Sequence, residues 1–161
     1  MGDVADGTRR SGELVERLAD LTTGRGYTVA CAESLTSGSI AARLGAGPNS
    51  SAWFRGGIVA YARSVKHGLL EVPDGPVVCE AAARAMADTT ARLLDADLVV
   101  AVTGVGGPDP QDGRPPGTVC FATTGTGDTR YEEHHFDGDP EDVLAQTVRR
   151  ALELLVERAS A

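Results

Sequence analysis

Positive charge is scarce in this sequence of 161 residues, and lysine is almost absent from it. The 15 basic residues are outnumbered by 23 acidic ones, which gives a net charge of −8, and Lys66 is the only lysine. Because a nucleic-acid-binding domain usually presents a basic face, the composition argues against a nucleic-acid partner. A genomic bias toward arginine explains the rarity of lysine equally well, so the role of Lys66 stays open at this point.

Long apolar runs and paired cysteines are also missing. No apolar run approaches the roughly 18 residues needed to cross a bilayer, and the polar N-terminal segment lacks a signal-peptide core. We therefore expect a cytoplasmic protein with no membrane partner. Cys31, Cys79 and Cys120 are far apart, lie in apolar segments and lack metal-ligand spacing. With only three scattered histidines beside them, they predict reduced core thiols, no metal site and no cofactor.

Helix and strand patterns alternate along a single domain. We expect that domain to span residues 11–161, after a frayed, flexible tail over residues 1–10. Strand patterns cover residues 27–33, 57–62, 97–105, 118–124 and 129–136, and helix patterns cover residues 11–26, 36–44, 63–70, 79–96 and 139–159. Ser11 is the expected N-cap of the first helix, and Asp139 with Pro140 opens the last. This order predicts an α/β fold, a three-layer α/β/α sandwich with a mostly parallel, partly mixed sheet.

The segment "AESLTSG" places polar residues at the end of the first strand. Glu33 and Ser34 follow the apolar strand, and Thr36, Ser37 and Gly38 open the next helix pattern. A helix N-terminus offers unpaired N–H groups that can hold an anion or a developing oxyanion. Alternatively, Ser34 and Thr36 simply cap the helix, which is the commoner role of such residues.

A second cluster joins a tyrosine to the single lysine. Tyr61 closes the next strand pattern, and Lys66 lies five residues later in a short helix. A lysine acts as a base only when neutral, which requires burial or a neighbouring charge to lower its pKa from about 10.4. A nearby tyrosine can then relay a proton. A solvated lysine with its stem on the apolar surface is an equally simple interpretation.

The third cluster, "AVTGVGGPD", again follows a strand. Thr103 supplies a hydroxyl, and Gly104 and Gly107 would let backbone approach a ligand closely. The Gly/Pro segment that begins here runs to residue 117, and loops of such length inside a compact domain are usually functional or disordered. Ligands of open α/β sheets bind at the carboxyl ends of the strands, so three clusters at such ends favour an active site.

Four segments together resemble one family. They are "ACAESLTSGSIAARL", "SSAWFRGGIVAYARSVKHGLL", "AVTGVGGPD" and "GTVCFATT". In this order they resemble the CinA C-terminal domain family, the nicotinamide-nucleotide amidohydrolases, from about residue 11 to 157. The resemblance implies a stand-alone form of a domain that many members carry behind a further N-terminal domain. It also implies a homo-oligomer.

The resemblance implies a metal-independent hydrolysis of nicotinamide mononucleotide to nicotinate mononucleotide and ammonia. By position, the family's serine, tyrosine and lysine fall on Ser34, Tyr61 and Lys66. In this interpretation Ser34 attacks the carboxamide, and Lys66 takes its proton directly or through Tyr61 and returns one to the leaving ammonia. N–H groups around Thr36 to Gly38 then hold either the oxyanion or the ligand phosphate.

The chain departs from the family pattern at two places. Leu35-Thr36-Ser37-Gly38 replaces the usual Cys-Thr-Gly-Gly, and Ala62-Arg63 replaces the usual Ser-Asn after the tyrosine. The expected substrate-binding set is Glu33, Thr36, Ser37, Gly38, Arg63, Thr103, Gly104 and Gly107. For the phosphate, Arg55, Arg63 and Arg114 are candidates.

Two other functions fit the same residues. A binding module would hold a pyridine nucleotide without turnover, and the departures at Ser37 and Arg63 motivate this alternative. A third hypothesis keeps the Ser/Lys machinery but directs it to another amide. Because Ser34 is not followed by the Ser-x-x-Lys spacing of the serine β-lactamases, that class is disfavoured.

Overall fold

The computed structural model of the chain describes the backbone of residues 2–161 and the side chains from residue 5 onward. Its strands are β1 Val29–Glu33, β2 Phe54–Val59, β3 Leu98–Gly104, β4 Thr118–Thr124 and β5 Arg130–His135. Its helices are α1 Gly2–Arg25, α2 Ser39–Gly45, α3 Ser50–Trp53, α4 Arg63–Leu69, α5 Glu80–Leu94 and α6 Pro140–Ser160. None of these helices has the length and apolar content that a bilayer span requires.

The five strands form one mixed sheet in the order β2-β1-β3-β4-β5. Strand β1 pairs parallel with β2 and β3, whereas β4 pairs antiparallel with β3 and β5. Helices α1, α2 and α6 cover one face, and α5 covers the other. This arrangement confirms the predicted three-layer α/β/α sandwich with a partly mixed sheet.

Side-chain alternation in the central strands assigns each residue to one core. In β1, Val29 and Cys31 pack with α1 and α6, and Ala30 and Ala32 pack with α5. Every residue of β3 is buried, as expected for a strand that is covered on both faces. Small alanines on the α5 side let that Ala-rich helix approach the sheet closely.

The first helix corrects two expectations from the sequence. Residues 2–10 are helical and continue into the predicted first helix, so they do not form an irregular tail. Ser11 is therefore a buried position inside α1 and not its N-cap. Ion pairs from Asp6 to Arg9 and Arg10, one turn apart, support the helix over these residues.

Strand β2 also begins and ends earlier than its pattern predicted. It starts at Phe54, after the short helix α3 that the sequence did not indicate, and it ends at Val59. A Cβ atom on Gly57 would lie 2.9 Å from Cys31 Sγ, so the glycine lets β2 approach β1. Gly56 and Gly57 thus both lie inside the strand, and Tyr61 lies in the segment that follows it.

The start of α6 agrees with its sequence signal. Asp139 Oδ1 accepts a hydrogen bond from Asp142 N at 2.9 Å, and Asp142 Oδ2 accepts one from Asp139 N at 3.0 Å. This reciprocal pair is a capping box, with Pro140 in the first turn. The prediction for this helix start is confirmed.

Gly104, at the end of β3, provides a test of the packing between β3 and β4. A Cβ atom there would lie 2.7 Å from Thr118 O, whereas nothing lies within 4 Å of one on Gly106. We expect Gly104→Ala to lower the free energy of unfolding by about 1–3 kcal/mol through overpacking. Gly106→Ala, the matched control, should change it by less than about 0.5 kcal/mol. Equal urea midpoints for the two variants would contradict the assigned packing.

Candidate active site

The three polar clusters meet at one edge of the sheet. Strands β1, β2 and β3 are parallel, so their carboxyl ends point the same way, and residues 34–38, 60–62 and 105–117 follow them. The backbone N–H of Ala60 donates to Glu33 O at 2.8 Å, which joins the segments after β1 and β2. The structure therefore brings these segments together, as the strand order predicts.

Glu33 is buried and its carboxylate holds the start of α2. Oε1 accepts from Ile40 N at 2.9 Å, and Oε2 accepts from Ala41 N at 3.0 Å. These two N–H groups belong to the first turn of the helix, where no partner exists within the helix itself. The capping role that the sequence offered to Ser34 and Thr36 is thus taken by Glu33. A contact between Glu33 and substrate stays a prediction.

Residues 34–38 form a turn instead of the first turn of α2. Ser37 N donates to Ser34 O at 3.1 Å, and Ser39 N donates to Thr36 O at 3.0 Å. Ser37 and Gly38 both have left-handed backbone, with φ of 51° and 102°. Ser37 therefore adopts a conformation that glycine prefers, at a cost on the order of 1 kcal/mol.

This turn leaves polar groups without protein partners. Ser34 is 7% exposed, and within residues 2–161 its hydroxyl makes no hydrogen bond. Thr36 is 1% exposed, and its Oγ1 is a buried atom with no partner in the described chain. The N–H groups of Leu35, Thr36 and Gly38 likewise have no acceptor among the described residues. Buried polar groups are normally paired, so the turn is suited to a polar ligand.

Lys66 is buried, with 2% of its surface exposed, although it lies in a short and otherwise exposed helix. Its Nζ donates to the main-chain oxygen of Tyr61 at 2.9 Å. Burial, followed by the charge of Arg63, lowers the pKa of Lys66 to about 8, while the charge of Asp112 acts in the opposite direction. About a tenth of the amine is therefore neutral at pH 7, far more than for a solvated lysine, and a lysine base requires this neutral form.

Tyr61 contacts Lys66 through its main chain, whereas the prediction involved its side chain. The recorded contact uses the backbone carbonyl of Tyr61 and not its phenol, and the residue is 69% exposed. The five-residue spacing explains this geometry, because Ala62 is the N-cap of α4 and Lys66 reaches back across the first turn. The side chain of Tyr61 is thus largely exposed, and a proton relay through its phenol stays a prediction.

The 105–117 loop is anchored beside α4. Arg63 Nη2 donates to Asp112 Oδ1 at 2.6 Å, and Arg63 Nη1 donates to Gly75 O at 3.1 Å. Asp112 Oδ2 accepts from the N–H groups of Val77 at 2.8 Å and Val78 at 3.1 Å. Arg63, a candidate for substrate binding, is therefore engaged by the protein.

Asp112 is the residue at this edge that the sequence reasoning missed. It lies between Gln111 and Arg114, which form an isolated antiparallel bridge, and both Asp112 and Gly113 have positive φ. These are the features of a type I′ turn, for which Asp-Gly is a preferred pair. The "QDGR" sequence could have indicated the turn, but not the partner of its carboxylate.

The remaining predicted residues have structural contacts. Thr103 Oγ1 donates to Val77 O at 2.6 Å, and Gly104 packs against β4. Gly107 has a φ of 90°, and a Cβ there would lie 3.1 Å from Pro116 Cβ. Contacts of these residues with a substrate stay predictions.

The other two arginine candidates for a phosphate are also engaged. Arg55 Nε donates to Leu94 O at 3.0 Å, near the start of β2 and hence away from the candidate edge. Arg114 forms an ion pair with Glu133 on β5. Arg55 is therefore a poor candidate, and the unpaired N–H groups of residues 35–38 are better placed to bind an anion.

An open groove of about 340 Å³ lies elsewhere, between α1 and α6. Its lining is mainly charged and includes no residue of the candidate edge: Arg10, Glu13, Leu14, Arg17, Arg149 and Glu153. We assign the chemistry to the sheet edge, because the buried amine and the unpaired turn groups are there.

The buried amine predicts a specific dependence of stability on pH. The folded pKa of Lys66, about 8, lies below the unfolded value of about 10.4, so between these values the unfolded chain binds more protons. Stability should therefore rise with pH across this window and carry the full penalty below pH 8. We expect Lys66→Met to raise the free energy of unfolding at pH 7 by about 1–3 kcal/mol. This is a net value, because the variant removes the penalty of burying the charged amine but also loses the hydrogen bond to Tyr61 O.

Urea unfolding of wild type and Lys66→Met from pH 7 to 10.5 measures this effect. The difference between the two proteins should shrink as pH rises, because other titrating groups are common to both. A difference that stays constant with pH would contradict a lowered pKa for Lys66.

Comparison with known proteins identifies the family. The family model of the CinA C-terminal domain matches residues 11–159. A CinA-like protein of Citrifermentans bemidjiense is 40% identical over 152 residues, which cover 89% of this chain and 36% of that protein. The chain spans about a third of the length of the curated relatives it matches.

Solved structures agree over nearly the whole chain. A CinA superfamily protein from Klebsiella pneumoniae superposes with a TM-score of 0.88 at 34% identity, covering 93% of this chain and 98% of that one. A competence or damage-inducible protein from Enterobacter asburiae gives a TM-score of 0.89 at 31% identity, with coverage of 92% and 98%. Sequence and structure together establish that the chain belongs to the CinA C-terminal domain family.

Proposed function

We propose that this chain hydrolyses the carboxamide of nicotinamide mononucleotide to nicotinate mononucleotide and ammonia. The observation that carries the proposal is the buried Lys66 amine, whose pKa is lowered to about 8, at the same sheet edge as the partnerless hydroxyl of Ser34. Hydrolysis of an amide needs a nucleophile, a base and donors for the oxyanion, and this edge offers each.

In the proposed reaction, Ser34 Oγ attacks the carboxamide carbon. Neutral Lys66 takes the hydroxyl proton, directly or through the phenol of Tyr61, and returns it to the nitrogen that leaves as ammonia. Water then attacks the acyl-serine ester while the same amine accepts its proton. The amine returns this proton to Ser34 Oγ as the ester C–O bond breaks, and the acid is released as the carboxylate after losing its proton to solvent. Two hydrogen bonds support this pairing, since Glu33 O accepts from Ala60 N at 2.8 Å and Tyr61 O accepts from Lys66 Nζ at 2.9 Å.

The turn over residues 34–38 would stabilise negative charge. The N–H groups of Leu35, Thr36 and Gly38 and the hydroxyl of Thr36 have no partners in the described chain. Donors that are already in place before reaction stabilise an oxyanion without reorganisation. The same groups also suit the substrate phosphate. We therefore propose that they bind the ligand, either at the oxyanion that forms during reaction or at the phosphate.

The departure at Ser37 is compatible with the proposal. With φ of 51°, Ser37 holds the left-handed conformation that the glycine of the family pattern would adopt readily. The exposed hydroxymethyl group adds volume at this turn without changing its backbone path. A smaller space for the ligand remains the main reason to consider other amides.

Ammonia release from nicotinamide mononucleotide tests the proposal. We expect purified protein to release ammonia, and Ser34→Ala and Lys66→Met each to lower kcat by about 10³-fold or more, because each removes a group of one catalytic unit. Ser51→Ala, an exposed serine on α3, is the matched control and should retain activity. Release that is equal in wild type and Ser34→Ala would refute the serine mechanism.

The two alternatives are outcomes of the same experiment. Tight binding in calorimetry without product would favour a binding module. Turnover of another amide with the mononucleotide inert would favour a different amidohydrolase.

We also propose that the protein is cytoplasmic. The cytoplasm is a reducing compartment, in which the free thiols Cys31, Cys79 and Cys120 persist.

We also propose that a second copy of the chain covers the apolar surface beside the site. Exposed apolar residues follow one another from the end of β2 through α4: Val59, Tyr61, Val65 and Leu69. This surface is continuous with the candidate active site at Tyr61, and β2 is an edge strand of the sheet. Clustered exposed apolar side chains commonly mark an interface.

Light scattering of the purified protein tests the interface. We expect wild type to contain more than one chain and Leu69→Glu to reduce the mass, because a charge would be buried in the contact. Leu93→Glu on α5, which is equally exposed, is the control and should leave the mass unchanged. A monomeric wild type would refute the proposal.

A further inference from the structure

The Arg63–Asp112 ion pair joins three segments around Lys66. Arg63 lies in α4 and Asp112 in the 105–117 loop, 49 residues apart in sequence. Through Gly75 O on one side and the N–H groups of Val77 and Val78 on the other, both partners also bind residues 75–78. The pair is thus a hub with five hydrogen-bonding groups and not an isolated surface contact.

The hub is adjacent to the amine in the fold. Arg63 and Lys66 are three residues apart in α4, a spacing that places side chains on one helix face. Lys66 O accepts from Val72 N at 3.1 Å, which links the helix to the chain leading to residues 75–78. The Asp112 carboxylate is largely buried, with 10% of its side chain exposed, so the ion pair is only partly screened by water.

We propose that Arg63 and Asp112 are positioning residues for Lys66, which hold α4, residues 75–78 and the 105–117 loop together and balance opposite charges beside the amine. The catalytic consequence of this balance rests on the function proposed above. The arrangement itself does not, because it concerns only contacts within the chain. Neither residue needs to touch the substrate.

The two charges act on Lys66 in opposite directions. The Arg63 guanidinium lowers the pKa of Lys66, and the Asp112 carboxylate raises it. Three other ionisable residues of this region are engaged elsewhere: His67 Nδ1 lies 2.9 Å from Val72 O, Glu71 pairs with Arg92, and the Glu33 carboxylate accepts from the first turn of α2. Removing one member of the pair therefore exposes Lys66 to the uncompensated charge of the other.

Arg63→Gln and Asp112→Asn are suitable variants because each keeps hydrogen-bonding capacity. Glutamine can still donate to Gly75 O, and asparagine can still accept from Val77 N and Val78 N. Asparagine also tolerates the φ of 54° at Asp112. Arg149→Gln is the matched control, because Arg149 pairs with Glu153 on α6, across the sheet from α5.

The single lysine makes a direct measurement possible. Protein labelled with ¹³C-lysine gives signals from Lys66 alone, and its Cε shift follows protonation of Nζ without any chemical modification. We expect Arg63→Gln to raise the pKa of Lys66 and Asp112→Asn to lower it, with Arg149→Gln at the wild-type value. With a wild-type pKa of about 8, about a tenth of the amine is neutral at pH 7; one pKa unit upward lowers that fraction about tenfold, and one unit downward raises it to about a half.

Opposite shifts would support the proposal, because loosened structure alone would move both variants in the same direction, toward the solvated value. Shifts of the same sign, or none in either variant, would overturn it. If opposite shifts occur while wild type hydrolyses no nicotinamide mononucleotide, the positioning role stands and the proposed function fails. If hydrolysis occurs, the pH profile of kcat/KM should shift with the Lys66 pKa in each variant.

Discussion

The buried carboxylate of Glu33 is the contact on which the candidate site depends. It accepts from the N–H groups of Ile40 and Ala41 in the first turn of α2, while its main-chain oxygen accepts from Ala60 N. One residue thus joins β1, α2 and the segment after β2. Because Glu33 provides the cap from outside the helix, the turn over residues 34–38 need not supply one. Its hydroxyls and N–H groups stay available, which is the condition for any polar ligand to bind there.

Several features of this edge oppose stability. Lys66 places an amine in a buried position, Ser37 holds left-handed backbone, and Thr36 Oγ1 has no partner within the described chain. Each costs on the order of 1–3 kcal/mol, and all three lie in segments that follow the carboxyl ends of the parallel strands β1 and β2. Such a concentration of unfavourable groups is typical of sites where function limits stability. The buried cores on both sides of the sheet supply the compensation.

Local signals in the sequence predicted most elements and little of the contact network. Continuous apolar runs located β3 and β4, and the Asp139–Pro140 signal located the start of α6, because these features depend on neighbouring residues. The capping alternative for Ser34 and Thr36 is wrong, because the carboxylate of Glu33 accepts from Ile40 N and Ala41 N, a contact that no local pattern indicated. The Arg63–Asp112 pair crosses 49 residues, and no periodic pattern encodes such a contact.

In the Tyr61–Lys66 pair, the main chain of Tyr61 holds the amine and its side chain is left exposed, although the five-residue spacing alone suggested a single side-chain contact. The amine binds a main-chain carbonyl, and any residue at position 61 would supply one. The position of Lys66 therefore does not depend on the tyrosine side chain. Tyr61 is 69% exposed at the edge of the site, where under the proposed function a planar pyridine ring would stack on its aromatic ring. Under the proposed function, the buried amine and the exposed phenol would act on one ligand, while the guanidinium of Arg63 is engaged by Asp112.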